Sequence, residues 1–192
     1  MSSVVISGDT SGTVSIAAPA VAGSNTLTLL AATATNSVNT LSTAVASTSG
    51  TSIDFTSLPS WVKRITVMFS GVSTSGTSNI QIQIGAGSVT TTGYASVGTR
   101  FGAATGTSSA FTTGIGLNIA AATDVLGGAI QLYNITGNTW VAQGVVSSSG
   151  SPYTITTSGY IALGGTLDRV RVTTVNGTDT FDAGSINILY EG

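Results

Sequence analysis

The chain has 192 residues, with only five Lys and Arg and seven Asp and Glu residues, and its formal net charge at pH 7 is −2. The cations form no basic stripe that could displace counterions from nucleic acid, so we expect no nucleic-acid partner. Because the sequence contains neither Cys nor His, it excludes a disulfide framework, Ser-His-Asp and Cys-His catalysis, and the usual zinc sites.

The first fifty residues differ in composition from the rest, since they contain no aromatic residue and no Lys or Arg. Their strand candidates are SVVIS, TVSIAAP and NTLTLL, followed by a small polar stretch that ends near Gly50. We therefore predict an N-terminal attachment region of short strands and linker at residues 1–50 and a second domain at residues 51–192. MSSVVISGDT lacks the basic and apolar regions of a signal peptide, and no segment approaches the ~20 apolar residues of a membrane helix.

The N-terminal region carries little apolar mass for its length. Fixing its backbone costs more free energy than the burial of its few Val, Ile and Leu side chains returns. We therefore expect it to order only against the second domain, sister chains or a host assembly. The residues expected to pack in this attachment and trimer contact are Val4, Val5, Ile6, Val14, Ile16, Val21, Leu27 and Leu29.

The second domain shows the period-two alternation of half-buried strands, and residues with high helix propensity other than Ala are scarce. WVKRITVMF, NIQIQIG, DRVRVTTV and SINILYE alternate most clearly; in NIQIQIG the isoleucines share one face and the glutamines the other. Further candidates are TGIGLNIA, GAIQLYN, TWVAQGVV, PYTIT and GYIAL.

Turn residues separate these strands at intervals of roughly 8–12 residues. NITGN, between GAIQLY and TWVAQG, is typical of a hairpin loop, and Asn176-Gly177 supplies the pair with positive φ that a tight hairpin turn requires. The pattern predicts an all-β fold, in which the second domain is an antiparallel β-sandwich or jelly roll.

The acidic residues near the C-terminus are the remaining candidates for catalysis, since a glycosidase needs only two carboxylates. However, Asp179 and Asp182 flank a predicted turn, and Asp168 adjoins Arg169. Calcium could be held by the oxygens of Asn176, Asp179 and Asp182, but these lack the dense spacing of a calcium loop. We therefore predict no enzyme, no cofactor and no metal site.

Aromatic residues in Gly-, Ser- and Thr-rich stretches are candidates for contact with a glycan. We expect Trp61 and Trp140 to be core anchors at strand ends. The candidates for receptor contact are Tyr94, Tyr153 and Tyr160.

One long segment, SGDTSGTVSIAAPAVAGSNTLTLLAAT, resembles a sequence that recurs in tail fibres and related projections of tailed phages. Its usual form is S-G-T-[IV]-[ST]-[LI]-x-A-P-A-x-A-G-[ST]-N-T-[LI]-T-L-P, which this chain matches from Ser11 to Leu29 and leaves at Leu30, where the family usually has Pro. Residues 55–85 and 167–191 resemble the β-rich distal domains of such proteins. The resemblance implies a homotrimer whose N-terminus docks on the particle and whose C-terminal domain points outward.

Taken together, these features predict a non-enzymatic virion protein, made in the host cytoplasm, that contacts other virion proteins and a host-surface glycan. Two placements stay open: a head fibre or decoration protein, and a short tail fibre. The alternative is a secreted carbohydrate-binding module, which the absence of a signal peptide disfavours.

Overall fold

The computed structural model describes residues 3–7, 13–17, 39–102 and 106–192. Strands and turns occur in these ranges, but no helix, and therefore none that could span a membrane. The strands are β1 Ser3–Ser7, β2 Thr13–Ala17, β3 Asn39–Leu41, β4 Val45–Ala46, β5 Ser52–Phe55, β6 Arg64–Thr74, β7 Ile80–Ala86, β8 Ser88–Val89, β9 Ala95–Phe101, β10 Gly106–Phe111, β11 Ile115–Leu117, β12 Leu126–Thr136, β13 Thr139–Ser148, β14 Tyr153–Ala162, β15 Arg169–Thr174 and β16 Phe181–Glu191.

The chain forms two compact units, residues 1–36 and 37–192. In the first unit, β1 and β2 pair as antiparallel strands, with Val4 opposite Ile16 and Ile6 opposite Val14. This pairing confirms the first two strands predicted from the sequence. The third predicted strand lies outside the described residues. So do Val21, Leu27, Leu29 and Leu30.

The second unit begins at residue 37. The change in composition had placed the domain boundary later, near Gly50. The unit's first strands, β3 and β4, both pair with β16 and so belong to the larger sheet. The Ser47 amide also donates to the Gly184 carbonyl at 3.0 Å. A short edge strand is held by backbone hydrogen bonds and needs no particular side chains. The point at which aromatic and basic residues first appear in the sequence therefore does not mark the start of the sheet.

The second unit is an antiparallel β-sandwich, as the sequence predicts. The larger sheet has the order β10-β9-β14-β13-β12-β6-β16-β3, and β4 also pairs with β16. The smaller sheet has the order β11-β7-β15-β5, and the two-residue strand β8 pairs with β7. Neighbouring strands are antiparallel throughout both sheets.

The core lies between the two sheets and is built from alternate residues of their strands. Its largest fully buried side chains are Phe181, Ile65, Ile80, Ile82, Ile84, Ile115, Leu117, Leu126, Ile130, Leu132, Ile155 and Ile186. Trp140 belongs to this core, as predicted. Trp61 does not, because its side chain is 38% exposed and packs against Tyr190 with a ring-centroid distance of 5.7 Å.

Four strands of the sandwich that follow Gly50, β5, β8, β9 and β10, were not predicted, and β9 shows one reason. Its inward positions are Ser96 and Gly98, because the backbone of β11 lies directly against them. The Gly116 amide donates to Ser96 Oγ at 3.2 Å, and a Cβ atom on Gly98 would lie 2.6 Å from the Gly116 carbonyl oxygen. The strand therefore lacks the inward apolar residues that alternation depends on.

The two predicted turns have different outcomes. NITGN joins the paired strands β12 and β13, so this hairpin is confirmed. At Asn176-Gly177 the turn forms, with the Gly177 amide donating to the Thr174 carbonyl at 3.1 Å. The flanking strands do not pair, however, because β15 lies in the smaller sheet and β16 in the larger. The turn therefore crosses between the sheets, and the predicted hairpin is wrong.

Candidate functional site

The side of the larger sheet that points away from the core is a broad surface of the second unit. Successive side chains of a strand point to opposite faces, and β13 shows this in its burial: Trp140, Ala142 and Val146 are buried, whereas Gln143 and Val145 are exposed. We call the outward residues of β10, β9, β14, β13, β12, β6 and β16 the larger-sheet face.

Strand register arranges the larger-sheet face in rows that run across the sheet. The middle row is Ala110, Val97, Ser158, Gln143, Gln131, Thr66 and Leu189. The row on one side is Ser108, Thr99, Thr156, Val145, Ala129, Met68 and Asn187. The row on the other side is Ala95, Tyr160, Val141, Tyr133, Arg64 and Glu191.

Charge is almost absent from these rows. The only two charged residues in them, Arg64 and Glu191, form a salt bridge of 2.9 Å at one end of the third row. The guanidinium of Arg64 also lies 5.8 Å from the centre of the Tyr133 ring. The other two rows contain only uncharged side chains: small, aliphatic, thioether, hydroxyl and amide groups. The face is therefore neutral over nearly its whole extent.

Apolar side chains are exposed on this neutral face. Val97 is 47% exposed, Val145 53% and Tyr160 58%. Phe101, the last residue of β9, is exposed as well, and so is Leu41 of the adjoining strand β3, which pairs with Leu189. Single exposed apolar residues are ordinary on protein surfaces, but a group of them on one sheet face is typical of an interaction site.

Two grooves follow the face and share part of their walls. One, of about 770 Å³, is lined by Tyr160, Tyr133 and Phe111, and the other, of about 690 Å³, by Val145 and Thr156. Val97, Gln143 and Ser158 line both grooves. The two depressions therefore meet in the middle row of the larger-sheet face.

The outward face of the smaller sheet has a different chemistry. Arg171 binds Asp54 through two hydrogen bonds of 2.7 and 3.0 Å. Gln83 donates to the Thr113 carbonyl at 2.9 Å, and the Thr113 hydroxyl donates to Gln81 at 2.7 Å. These polar groups bind one another, so the two outward faces of the sandwich are distinct.

Only one of the three predicted receptor tyrosines is a surface residue free to contact a partner. Tyr94 is 3% exposed, and its hydroxyl accepts from the Ile84 amide and donates to the Ile84 carbonyl. Burial raises the pKa of Tyr94 to about 12, against the opposing effect of the hydrogen bond with Ile84. Tyr153 is half-buried and donates its hydroxyl proton to Asp124. Tyr160 stands exposed on the larger-sheet face.

A fourth tyrosine, Tyr133, was missed as a site candidate. It lies on the same row as Tyr160, with Val141 between them, and lines the same groove. The alternation in GAIQLYN could have found it, because a strand that buries Ile130 and Leu132 must turn Tyr133 outward.

The C-terminal carboxylates each bind neighbouring groups. Asp168 binds Arg169 at 2.7 Å and accepts from the Gly87 amide. Asp179 accepts from the Asn176 side chain at 2.8 Å and the Ser78 amide at 3.0 Å, while Asp182 accepts from a serine hydroxyl. Within the described residues, no cluster of three or more Asp or Glu side chains is arranged to hold a metal ion.

Asp124 is a buried aspartate that no sequence pattern singles out. Its side chain is 2% exposed. One carboxylate oxygen accepts from the Ala120 and Ala121 amides at 2.7 and 2.9 Å and from the Tyr153 hydroxyl. The other accepts from Ser148 Oγ at 2.9 Å. These bonds attach the loop before β12 to the ends of β13 and β14, which is a structural role.

Comparison with known proteins adds no family assignment, since no protein-family model, no curated protein and no solved structure matches this chain.

Proposed function

We propose that this chain is a non-enzymatic structural protein of a tailed phage that forms a homotrimeric projection on the virion. Residues 1–36 attach it to the particle, and the β-sandwich of residues 37–192 is the outward knob. Two placements remain, head fibre or decoration protein and short tail fibre. The same proposal includes two further predictions: that the sandwich has jelly-roll topology, and that the knob binds a glycan on the host surface.

The observation that carries the proposal is the neutral larger-sheet face. An isolated soluble domain usually distributes charges of both signs over its surface, whereas here two complete rows of a broad sheet face carry none. Such a surface fits a subunit that is covered by other chains in an assembly. The resemblance of Ser11–Leu29 to phage projection proteins supports a virion as that assembly.

A carbohydrate-binding module is the second candidate, and Tyr160 is the observation that favours it. Its exposed ring lies beside a groove that also offers the amide of Gln143 and the hydroxyl of Ser158. Sugars commonly stack on aromatic rings and accept hydrogen bonds from such groups. The aliphatic side chains of Val97 and Val141 in the same groove are less suited to a sugar, so we place this candidate second.

A truncated chain that lacks residues 1–36 tests the proposal. Its core consists of residues of the second unit, between Ile53 and Ile188, so it should fold. Incubated with particles of a phage that lacks this protein, the full-length chain should co-sediment with the particles and the truncated chain should not. Co-sedimentation of both chains would contradict the assigned role of residues 1–36. If neither chain binds particles and both bind a glycan array, the carbohydrate-binding module becomes the better assignment.

A further inference from the structure

We infer that the larger-sheet face is the surface through which copies of this chain associate, with Ser158 and Val145 inside the contact. The inference rests on the proposed homotrimer and adds to it the face that the copies share. The occupant of the two grooves is then the same face of a neighbouring copy.

The charge distribution supports a second copy as the partner. In a trimer whose threefold axis runs beside one sheet face, that face meets parts of the same face on both neighbours, so a charge close to the axis is brought together with its two equivalents. Like charges at such a contact repel, and buried charges without partners cost several kcal/mol. A face whose middle row runs from Ala110 to Leu189 without a charged residue avoids both costs.

The salt bridge at the end of the third row fits the same interpretation. Arg64 and Glu191 neutralise each other within one chain, so the face needs no complementary charge from a partner. A partner of another kind, such as an acidic polysaccharide or a basic peptide, would be matched by unpaired charges of opposite sign. The middle row and the row of Val145 offer none.

The area of the face agrees with a stable contact. Seven strands spaced by ~4.8 Å, carrying rows ~6.8 Å apart along each strand, give a face of roughly 34 Å by 20 Å, or roughly 700 Å² in projection. A standard specific interface buries roughly 600–1,000 Å² of accessible surface per partner. The projected area of the face lies within this range.

The side chains on the face are suited to close packing between backbones. Serine, threonine and alanine occupy many positions in the rows, and the exposed Val97, Val145 and Tyr160 supply apolar area. The glutamines Gln131 and Gln143 stand side by side in the middle row and can exchange hydrogen bonds with their equivalents in another copy. This composition matches an interface core, from which charged residues are depleted.

A charge placed in the middle of the face tests the inference. Ser158 is exposed and lines both grooves, so Ser158→Lys in the full chain should shift the molar mass by light scattering from three chains to one, at 18.9 kDa. The matched control is Ser88→Lys, because Ser88 is an exposed serine on the smaller sheet. This variant should keep the mass of the unmodified protein.

Each outcome separates the inference from the proposal on which it rests. If the unmodified protein is trimeric and Ser158→Lys is also trimeric, the face assignment is wrong while the trimer stands. If the unmodified protein is monomeric, the proposed trimer fails first and the assigned interface fails with it. Val145→Lys takes the place of Ser158→Lys if circular dichroism shows that the first variant does not fold.

A second experiment tests the same interface without adding a lysine to it. The chain contains no Cys, so Ser158→Cys and Ser88→Cys each introduce a single thiol. In the full-length assembly a maleimide should label the cysteine at position 158 many-fold more slowly than the one at position 88, and mild denaturant should remove the difference. Equal labelling rates in the native trimer would overturn the inference.

Discussion

Replacing Gly184 by alanine should lower the free energy of unfolding by ~3 kcal/mol or more, because the added methyl group meets backbone atoms that cannot move aside. Gly184 has a φ of +86°, and a Cβ atom there would lie 2.3 Å from the Gly71 carbonyl oxygen and 2.6 Å from that of Ser70. Conformational strain and overlap therefore act together at one residue.

The position of Gly184 makes this strain difficult to relieve. It lies where the register between β16 and β6 shifts, between Ala183 and Ser185. Both strands are interior to the larger sheet, since β12 flanks β6 and β3 flanks β16. A movement of the β16 backbone would disturb ladders on both sides.

The matched control for this substitution is Gly177→Ala. Gly177 has a similar φ of +67°, but a Cβ atom there would meet nothing within 4 Å. Only the conformational cost remains, and we expect a loss of ~1 kcal/mol. Urea denaturation at matched protein concentration measures both variants. Equal losses would show that the close approach of the two strands has no energetic consequence.

Replacing Asp124 by alanine should be comparably damaging, with a loss of ~3–4 kcal/mol in the free energy of unfolding. The substitution leaves two backbone amides and the hydroxyls of Tyr153 and Ser148 without their acceptor. Hydrogen bonds to a charged group contribute ~1.5–3 kcal/mol each, and buried groups left without a partner carry the desolvation cost. Asp182→Ala is the control, because Asp182 is exposed and accepts one hydrogen bond; it should cost less than ~1 kcal/mol.

The same carboxylate predicts a dependence on pH. Burial acts to raise the pKa of Asp124, but the hydrogen bonds from two hydroxyls and two amides outweigh it, so the pKa lies below the ordinary aspartate value. Its stabilising contribution is therefore complete above the unfolded-state pKa of about 4 and is lost as the pH falls through the folded-state pKa. The stability difference between the unmodified protein and Asp124→Ala should shrink below about pH 4. A difference that is constant with pH would contradict the assigned role of the carboxylate.

The strands that were predictable are those with apolar residues on one side only. The alternation around Ile65, Ile82 and Ile186 located β6, β7 and β16, because the physical cause of the pattern, burial of one face, also holds the strand in place. The segments PYTIT and GYIAL were both identified, but the structure joins them as the single strand β14. One glycine, Gly159, and small polar residues between the apolar positions concealed this continuity.

Strand β9, which was not predicted, has the opposite arrangement. In β9 the inward residues are Ser96 and Gly98, and the outward ones include the exposed Val97 and Phe101. Hydrophobic alternation cannot identify a strand whose inner side faces another backbone and whose outer side is apolar. Pairing between distant strands also escapes local patterns, which is why the turn at Asn176-Gly177 was predicted as a hairpin.

The candidate site could be predicted only in part for a related reason. The composition shows that charged residues are scarce. It does not show which uncharged residues share a face, because the rows of the larger-sheet face arise from the register of seven strands. Tyr160 was identified as a surface aromatic and is exposed, whereas Tyr94 is buried, with its hydroxyl hydrogen-bonded to both backbone groups of Ile84. The sequence around the two tyrosines is similarly rich in Gly, Ser and Thr, so it cannot distinguish them.

The central claim is that three copies of this chain associate through uncharged surface, and the molar mass of the full-length protein in solution tests that association most directly. Light scattering coupled to size exclusion, at micromolar concentration and at low and high salt, should give three times the chain mass of 18.9 kDa. Because the contact is uncharged, the mass should be the same at both salt concentrations. A clean monomer at micromolar concentration would contradict the account.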